Sequence, residues 1–184
     1  VTDTPLGTRR CYFCIKYYPY CEDCEYGRIH GECRENSSDY AKLMKSLEDL
    51  SFQISKYYEG EIYDVKLDES SKNILIDNLK SKMDEMFREL SLEISTLDVC
   101  ETVEEIMDTK RRILYTCISS LPLDGDTCYF CIDTDCDQCK YKEYHGECGE
   151  TDSTWKKIRD AVDRVLNHIN IYYLSLIHIS EPTR

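Results

Sequence analysis

CYFCIKYYPYCEDCEYGRIHGEC, residues 11–33, returns as CYFCIDTDCDQCKYKEYHGEC, residues 128–148. Cys11 and Cys14 are matched by Cys128 and Cys131 at an offset of 117, and Pro5-Leu6 by Pro122-Leu123 at the same offset. Two residues then drop out. From Cys21 and Cys136 onward the offset is 115, which aligns Cys24 with Cys139 and His30-Gly-Glu-Cys33 with His145-Gly-Glu-Cys148. Self-similarity at so long a period is the signature of a repeated structural unit. The match runs on past the cysteines. Tyr40 aligns with Trp155, and Leu43, Leu47, Leu50, Ile54, Tyr57 and Tyr58 align with Ile158, Val162, Val165, Ile169, Tyr172 and Tyr173. The unit is about 115 residues long on this reading. On the same reading, the chain is expected to begin inside one unit and its second copy to be cut short within a helix.

Between the two cysteine segments the apolar pattern is helical. Tyr40, Leu43, Leu47, Leu50, Ile54 and Tyr57 step by three and four, which places them on one helix face, and Ser38-Asp39 supplies an N-cap. A second helix is expected from about Ser71 to Leu97, with Ile76, Leu79, Met83, Met86, Phe87, Leu90, Ile94 and Leu97 as a core-facing, nearly heptad stripe. A third opens on Thr102-Val-Glu-Glu105, a capping-box pattern. It buries Ile106, Met107, Ile113, Leu114 and Cys117 before Pro122 ends it. Residues 59–68 form the join, with Ile62, Val65 and Leu67 able to make a short extended piece.

The expected fold is mainly α: a three-helix up-down-up bundle preceded by a small cysteine knuckle, tandemly repeated, with the second copy truncated. The corresponding organisation is a first knuckle at 1–38, a bundle at 39–121, a second knuckle at 122–152 and the first helix of a second bundle at 153–173. Residues 174–184, LSLIHISEPTR, resemble the translation of a sequencing-library adaptor and are set aside from this reading.

The formal net charge is −13. An acidic surface repels phosphate, and the longest basic run, Lys110-Arg111-Arg112, stands among acidic residues, so no nucleic-acid partner is expected. No apolar run reaches the ~18 residues of a membrane span. No small-molecule substrate is indicated either, since Tyr57-Tyr58, Trp155 and the Met83, Met86, Phe87 stripe fit helical core positions.

Twelve cysteines carry the chemistry. In each knuckle, pairs separated by two residues can aim both side chains at one metal ion, and four such thiolates complete a tetrahedron. The candidate ligands are Cys11, Cys14, Cys21 and Cys24 in the first knuckle and Cys128, Cys131, Cys136 and Cys139 in the second. His30, Cys33, His145 and Cys148 stand as additional candidates, the histidines as ligands or as outer-sphere donors. The glycine after each histidine permits a turn with positive φ. With its C-x2-C, C-x2-C and G-x-C spacing, the segment resembles a knuckle found in uncharacterised prokaryotic and phage proteins. That resemblance implies no activity, and Glu25 and Lys140 stand where those proteins often have a proline.

The implied cofactor is structural zinc, about one ion per knuckle. The alternative is a disulfide framework without metal in a secreted or surface protein, for which Asn36-Ser-Ser38 offers a glycosylation acceptor. Between Cys11 and Thr127 there are seven cysteines, an odd number that full pairing within one unit cannot accommodate. The spacing fits no standard iron–sulfur motif, and no C-x-x-C is followed by the histidine of a haem attachment. Nor is there an H-E-x-x-H arrangement beside a ligand set. The chain therefore reads as a non-catalytic scaffold or interaction module with a protein partner, offered Tyr12, Phe13, Tyr17, Tyr18 and Tyr20. A cytoplasmic setting goes with zinc and an extracellular one with disulfides.

Overall fold

The computed structural model describes Leu6 and residues 11–58, 67–132 and 135–180. The expected extended piece around Ile62 and Val65 lies outside them, as do Pro5 and the last four residues. Seven α-helices are present and no strand among the described residues: α1 (Tyr12–Tyr17), α2 (Glu25–His30), α3 (Asp39–Tyr58), α4 (Glu69–Thr96), α5 (Val103–Ser119), α6 (Lys140–His145) and α7 (Thr154–Ser180). The protein is mainly α-helical, as its periodicity predicts.

The long helices begin where their caps stand. Ser38 accepts from the Ala41 N–H at 3.1 Å and its hydroxyl donates to the Cys33 carbonyl at 3.3 Å. Ser153 makes the same two bonds at the start of α7, from the Lys156 N–H at 3.0 Å and to the Cys148 carbonyl at 2.9 Å. Both serines are buried. Each satisfies an orphan N–H of a first helical turn while tying the end of a cysteine segment to it. Asp68 caps α4 through the Ser71 N–H, and Thr102 with Glu105 forms the expected capping box of α5.

Cross-helix contacts give the directions. Tyr40 meets Tyr172, Asp49 meets Arg164 and Tyr57 meets Trp155, so α3 and α7 run antiparallel. Arg111 donates to Asn170 at 3.0 Å and Arg159 to the Leu123 carbonyl at 3.2 Å, so α5 is antiparallel to α7 as well. Arg112 pairs with Glu93 at 2.7 Å and Lys82 with Asp124 at 2.8 Å, which sets α4 antiparallel to α5. The four long helices thus alternate in direction along the chain. Their principal packing partners are α3 with α7, α7 with α5, and α5 with α4. The surface that α3 faces is supplied from beyond the 39–121 segment, by α7.

The core consists of Leu43, Leu47 and Leu50 of α3 against Ile158, Ala161, Val165 and Ile169 of α7, with Met107 and Leu114 joining from α5. α7 continues through 174–180, and Leu176, in the stretch set aside as adaptor-like, is buried in this core. The stripe of α4 is different. Leu79, Met83, Met86 and Leu90 are partly covered, but Ile76, Phe87, Ile94 and Leu97 are exposed, and Ser71 alone in this helix is buried. With α5 as its main partner, α4 has only a narrow seam to bury and the flanks of its apolar face stay in solvent. Cys100 follows the 3-10 turn Leu97–Val99 and precedes α5, so it does not share a helix with Cys117.

Candidate functional site

The two cysteine segments are short helices and 3-10 turns strung between cysteines. The first places α1 after Cys11, a 3-10 turn over Cys21–Asp23, and α2 directly after Cys24. The second has its 3-10 turn over Cys136–Gln138 and α6 directly after Cys139. In both, a glycine closes the short helix with positive φ: 81° at Gly31 and 74° at Gly146. With ψ at 160° and −177°, these lie in a region open to glycine almost alone. A Cβ on Gly31 would also come within 2.5 Å of the Glu35 carboxylate.

No disulfide joins any two of the twelve cysteines. Those of the first segment share one neighbourhood. Burial pushes the Cys14 thiol up to about 12, with Cys11, Cys33 and Cys24 adding to the shift. Burial raises Cys33 to about 11, with Cys11, Cys24 and Cys21 adding. The second segment repeats the pattern. Cys131 is raised to about 12 by burial and then by Cys128, and Cys148 is raised by burial and then by Cys128, Cys139 and Cys136. Cys33 and Cys148 therefore belong to the clusters formed by the paired cysteines. Four of the second cluster, Cys131, Cys136, Cys139 and Cys148, line a cavity of about 360 Å³ bordered by Asp137, Lys142 and Glu147.

Several neutral thiols close enough to disfavour one another's ionisation form the donor chemistry of a thiophilic divalent cation, whose charge would reverse that penalty. The fit is one of kind and proximity. Among the described residues, no three His, Cys, Asp or Glu side chains stand in a ready-made metal-binding group. His30 is otherwise engaged: its ring stacks on Tyr26 at 5.1 Å between centroids, and its Nδ1 faces the Asp39 carboxylate at 3.7 Å. The side chain of His145 lies outside the described residues.

Each segment is seated on aromatic rings. Phe13, expected at the surface, is buried against Tyr26, while Tyr18 and Tyr20 are exposed. Tyr26 and Tyr141 are buried too, and their hydroxyls accept the N–H groups of Tyr40 at 3.1 Å and Trp155 at 2.9 Å, adding a second link between cysteine segment and helix. Tyr26 then meets Tyr172 at 5.9 Å, and Tyr141 meets Tyr57 at 6.0 Å. These last contacts cross over: the first segment touches the C-terminal half of α7, and the second touches the far end of α3. Sequence periodicity marks Tyr57 and Tyr172 as core residues, but carries no sign that they reach the cysteine segments.

A scan of family models, a search of curated proteins and a search of solved structures each find no match to the chain.

Proposed function

We propose that the chain is a non-catalytic tandem-repeat scaffold or protein-interaction module whose two knuckles are structural zinc sites. Cys11, Cys14, Cys21 and Cys24 would hold one ion, and Cys128, Cys131, Cys136 and Cys139 the other, with Cys33 and Cys148 in reach as additional ligands. The observation that carries this reading is the cavity lined by Cys131, Cys136, Cys139 and Cys148 in the second segment, whose cysteine spacing the first segment repeats. Bound zinc would supply a fixed cross-link among turns too short to own a core. The chain's own residues do the rest: Ser38 and Ser153 tie each knuckle to a long helix, and the buried tyrosines seat it.

The repeat, read as a cysteine segment followed by a long helix, is supported by equivalent contacts at equivalent positions. These are the serine caps, the Tyr26 and Tyr141 hydroxyl contacts, and the paired rings of Tyr12 with Phe13 and Tyr129 with Phe130. A protein partner is supported by exposed apolar side chains: Ile15, Tyr18 and Tyr20 on the first knuckle, and Phe87, Leu92 and Ile94 on α4. Thiolate-bound zinc goes with a reducing compartment such as the cytoplasm.

Metal analysis of the purified chain, paired with thiol titration before and after chelation, tests the proposal. About one zinc per knuckle, with knuckle thiols that become titratable only after chelation, is the expected result. A metal-free protein whose knuckle thiols titrate only after reduction would overturn it in favour of a disulfide-stabilised extracellular array.

A further inference from the structure

The two knuckles are not sealed by their own helices. The Tyr172 hydroxyl, in the C-terminal half of α7, donates to the Cys11 Sγ at 3.9 Å. The Tyr57 hydroxyl, near the end of α3, lies 3.7 Å from the Cys128 Sγ. Cys11 and Cys128 are the first cysteines of the two segments, and Tyr57 and Tyr172 occupy matching positions in the helices that follow them. All four residues are buried. Midway between these contacts, Asp49 of α3 meets Arg164 of α7 at 2.6 Å, and those two positions also match. Exchanging the first knuckle and α3 for the second knuckle and α7 thus returns the same set of contacts, which is the arrangement of a two-fold, self-complementary interface.

From this crossing we infer that Tyr57 and Tyr172 are outer-sphere hydrogen-bond donors to the other knuckle's first cysteine, so that each metal site is complete only when α3 and α7 are docked. The inference rests on the zinc reading. A thiolate bound to zinc accepts hydrogen bonds, and donors around a metal-bound ligand orient it and hold its charge. The consequence is linkage: zinc bound at either knuckle favours the docked helices, and docking favours zinc at both. The two halves of the chain would load as a pair.

The test uses the full chain and two substitutions that keep the ring and remove only the hydroxyl, Tyr57→Phe and Tyr172→Phe, with far-UV helicity confirming that each variant is folded. Zinc-loaded protein is challenged with a chelator, released thiols are alkylated, and the modified cysteines are located by peptide mapping. Tyr57→Phe should speed release more at Cys128 to Cys148 than at Cys11 to Cys33, which lose only the shared docking, while Tyr172→Phe should do the reverse. Each effect should be roughly 10-fold, the lower range for loss of an outer-sphere partner. An effect confined to the knuckle preceding the mutated helix, an equal effect on both knuckles, or none overturns the inference. If the unmutated chain takes up no zinc, the metal reading fails by itself. The crossed contact is then judged on the reduced, metal-free chain: a changed alkylation rate at Cys128 alone in Tyr57→Phe and at Cys11 alone in Tyr172→Phe upholds it, and any other pattern overturns it.

Discussion

At the scale of single residues, two glycines and one histidine have consequences that can be measured. Gly31 and Gly146 hold backbone angles that a side chain resists, so Gly31→Ala should destabilise the first knuckle by about 1–3 kcal/mol. Denaturant unfolding would register the change, and Gly125→Ala, with open space around it, should cost far less. His168 presents a different case. Its Nδ1 is buried without a hydrogen-bond partner, and its pKa is lowered by burial first and then by Lys42, with Arg164 adding and Asp39 opposing. Because the folded value lies below the ordinary 6.5, the unfolded chain takes up the proton first as the pH falls. This contribution to stability is therefore full above the unfolded value and drains away below it. Thermal melts from about pH 7.5 down to about pH 5.5 should show a falling midpoint, and His168→Gln should flatten part of that slope.

The long helices differ in how much of their apolar surface is covered, and the difference should appear in mutational cost. Leu43 of α3 and Ile158 of α7 are fully enclosed, so Leu43→Ala should cost about 2–5 kcal/mol. Phe87 belongs to an equally regular stripe on α4 but is 57% exposed, and Phe87→Ala should change stability by no more than about 0.5 kcal/mol. Comparable losses at the two positions would mean that α4 is covered in solution. The caps form a second test of elements. Ser38→Ala removes both the bond to the first turn of α3 and the partner of the Cys33 carbonyl, for about 0.5–2 kcal/mol. Ser153→Ala should do the same at α7, since its two bonds match.

For the whole molecule, the organisation turns on α7, which packs on α3 along one side and α5 along another. Contacts between residues 71 and 161 positions apart in sequence tie the cysteine segments to distant helices. Helical structure has its own apolar core, whereas the knuckles are chains of turns. Under the zinc reading, strong chelation should leave most of the far-UV helical signal. Hydrogen exchange should then accelerate over residues 11–33 and 128–148 and at the first turns of α3 and α7, where the Tyr26 and Tyr141 hydroxyls accept backbone N–H groups. Uniform acceleration along α4 and α5 would instead mean that the knuckles hold the entire fold.

Local pattern was sufficient for the features that depend on neighbours in sequence. Three-four spacing placed the long helices, Ser38 and Thr102 marked two of their starts, and the glycines after His30 and His145 announced positive φ. The recurrence of the cysteine segment was legible for the same reason, and with it the candidate ligands. Periodicity states which side of a helix is apolar but not which surface will cover it, and there the tertiary structure decided. It turned α3 toward α7, left the flanks of the α4 stripe in solvent, buried Phe13 and stacked His30 on Tyr26. It also carried the Tyr57 and Tyr172 hydroxyls to thiols of the opposite knuckle. These outcomes are settled by burial and packing among groups far apart along the chain, where side-chain volume and the direction of approach select the partner and local propensity carries no information.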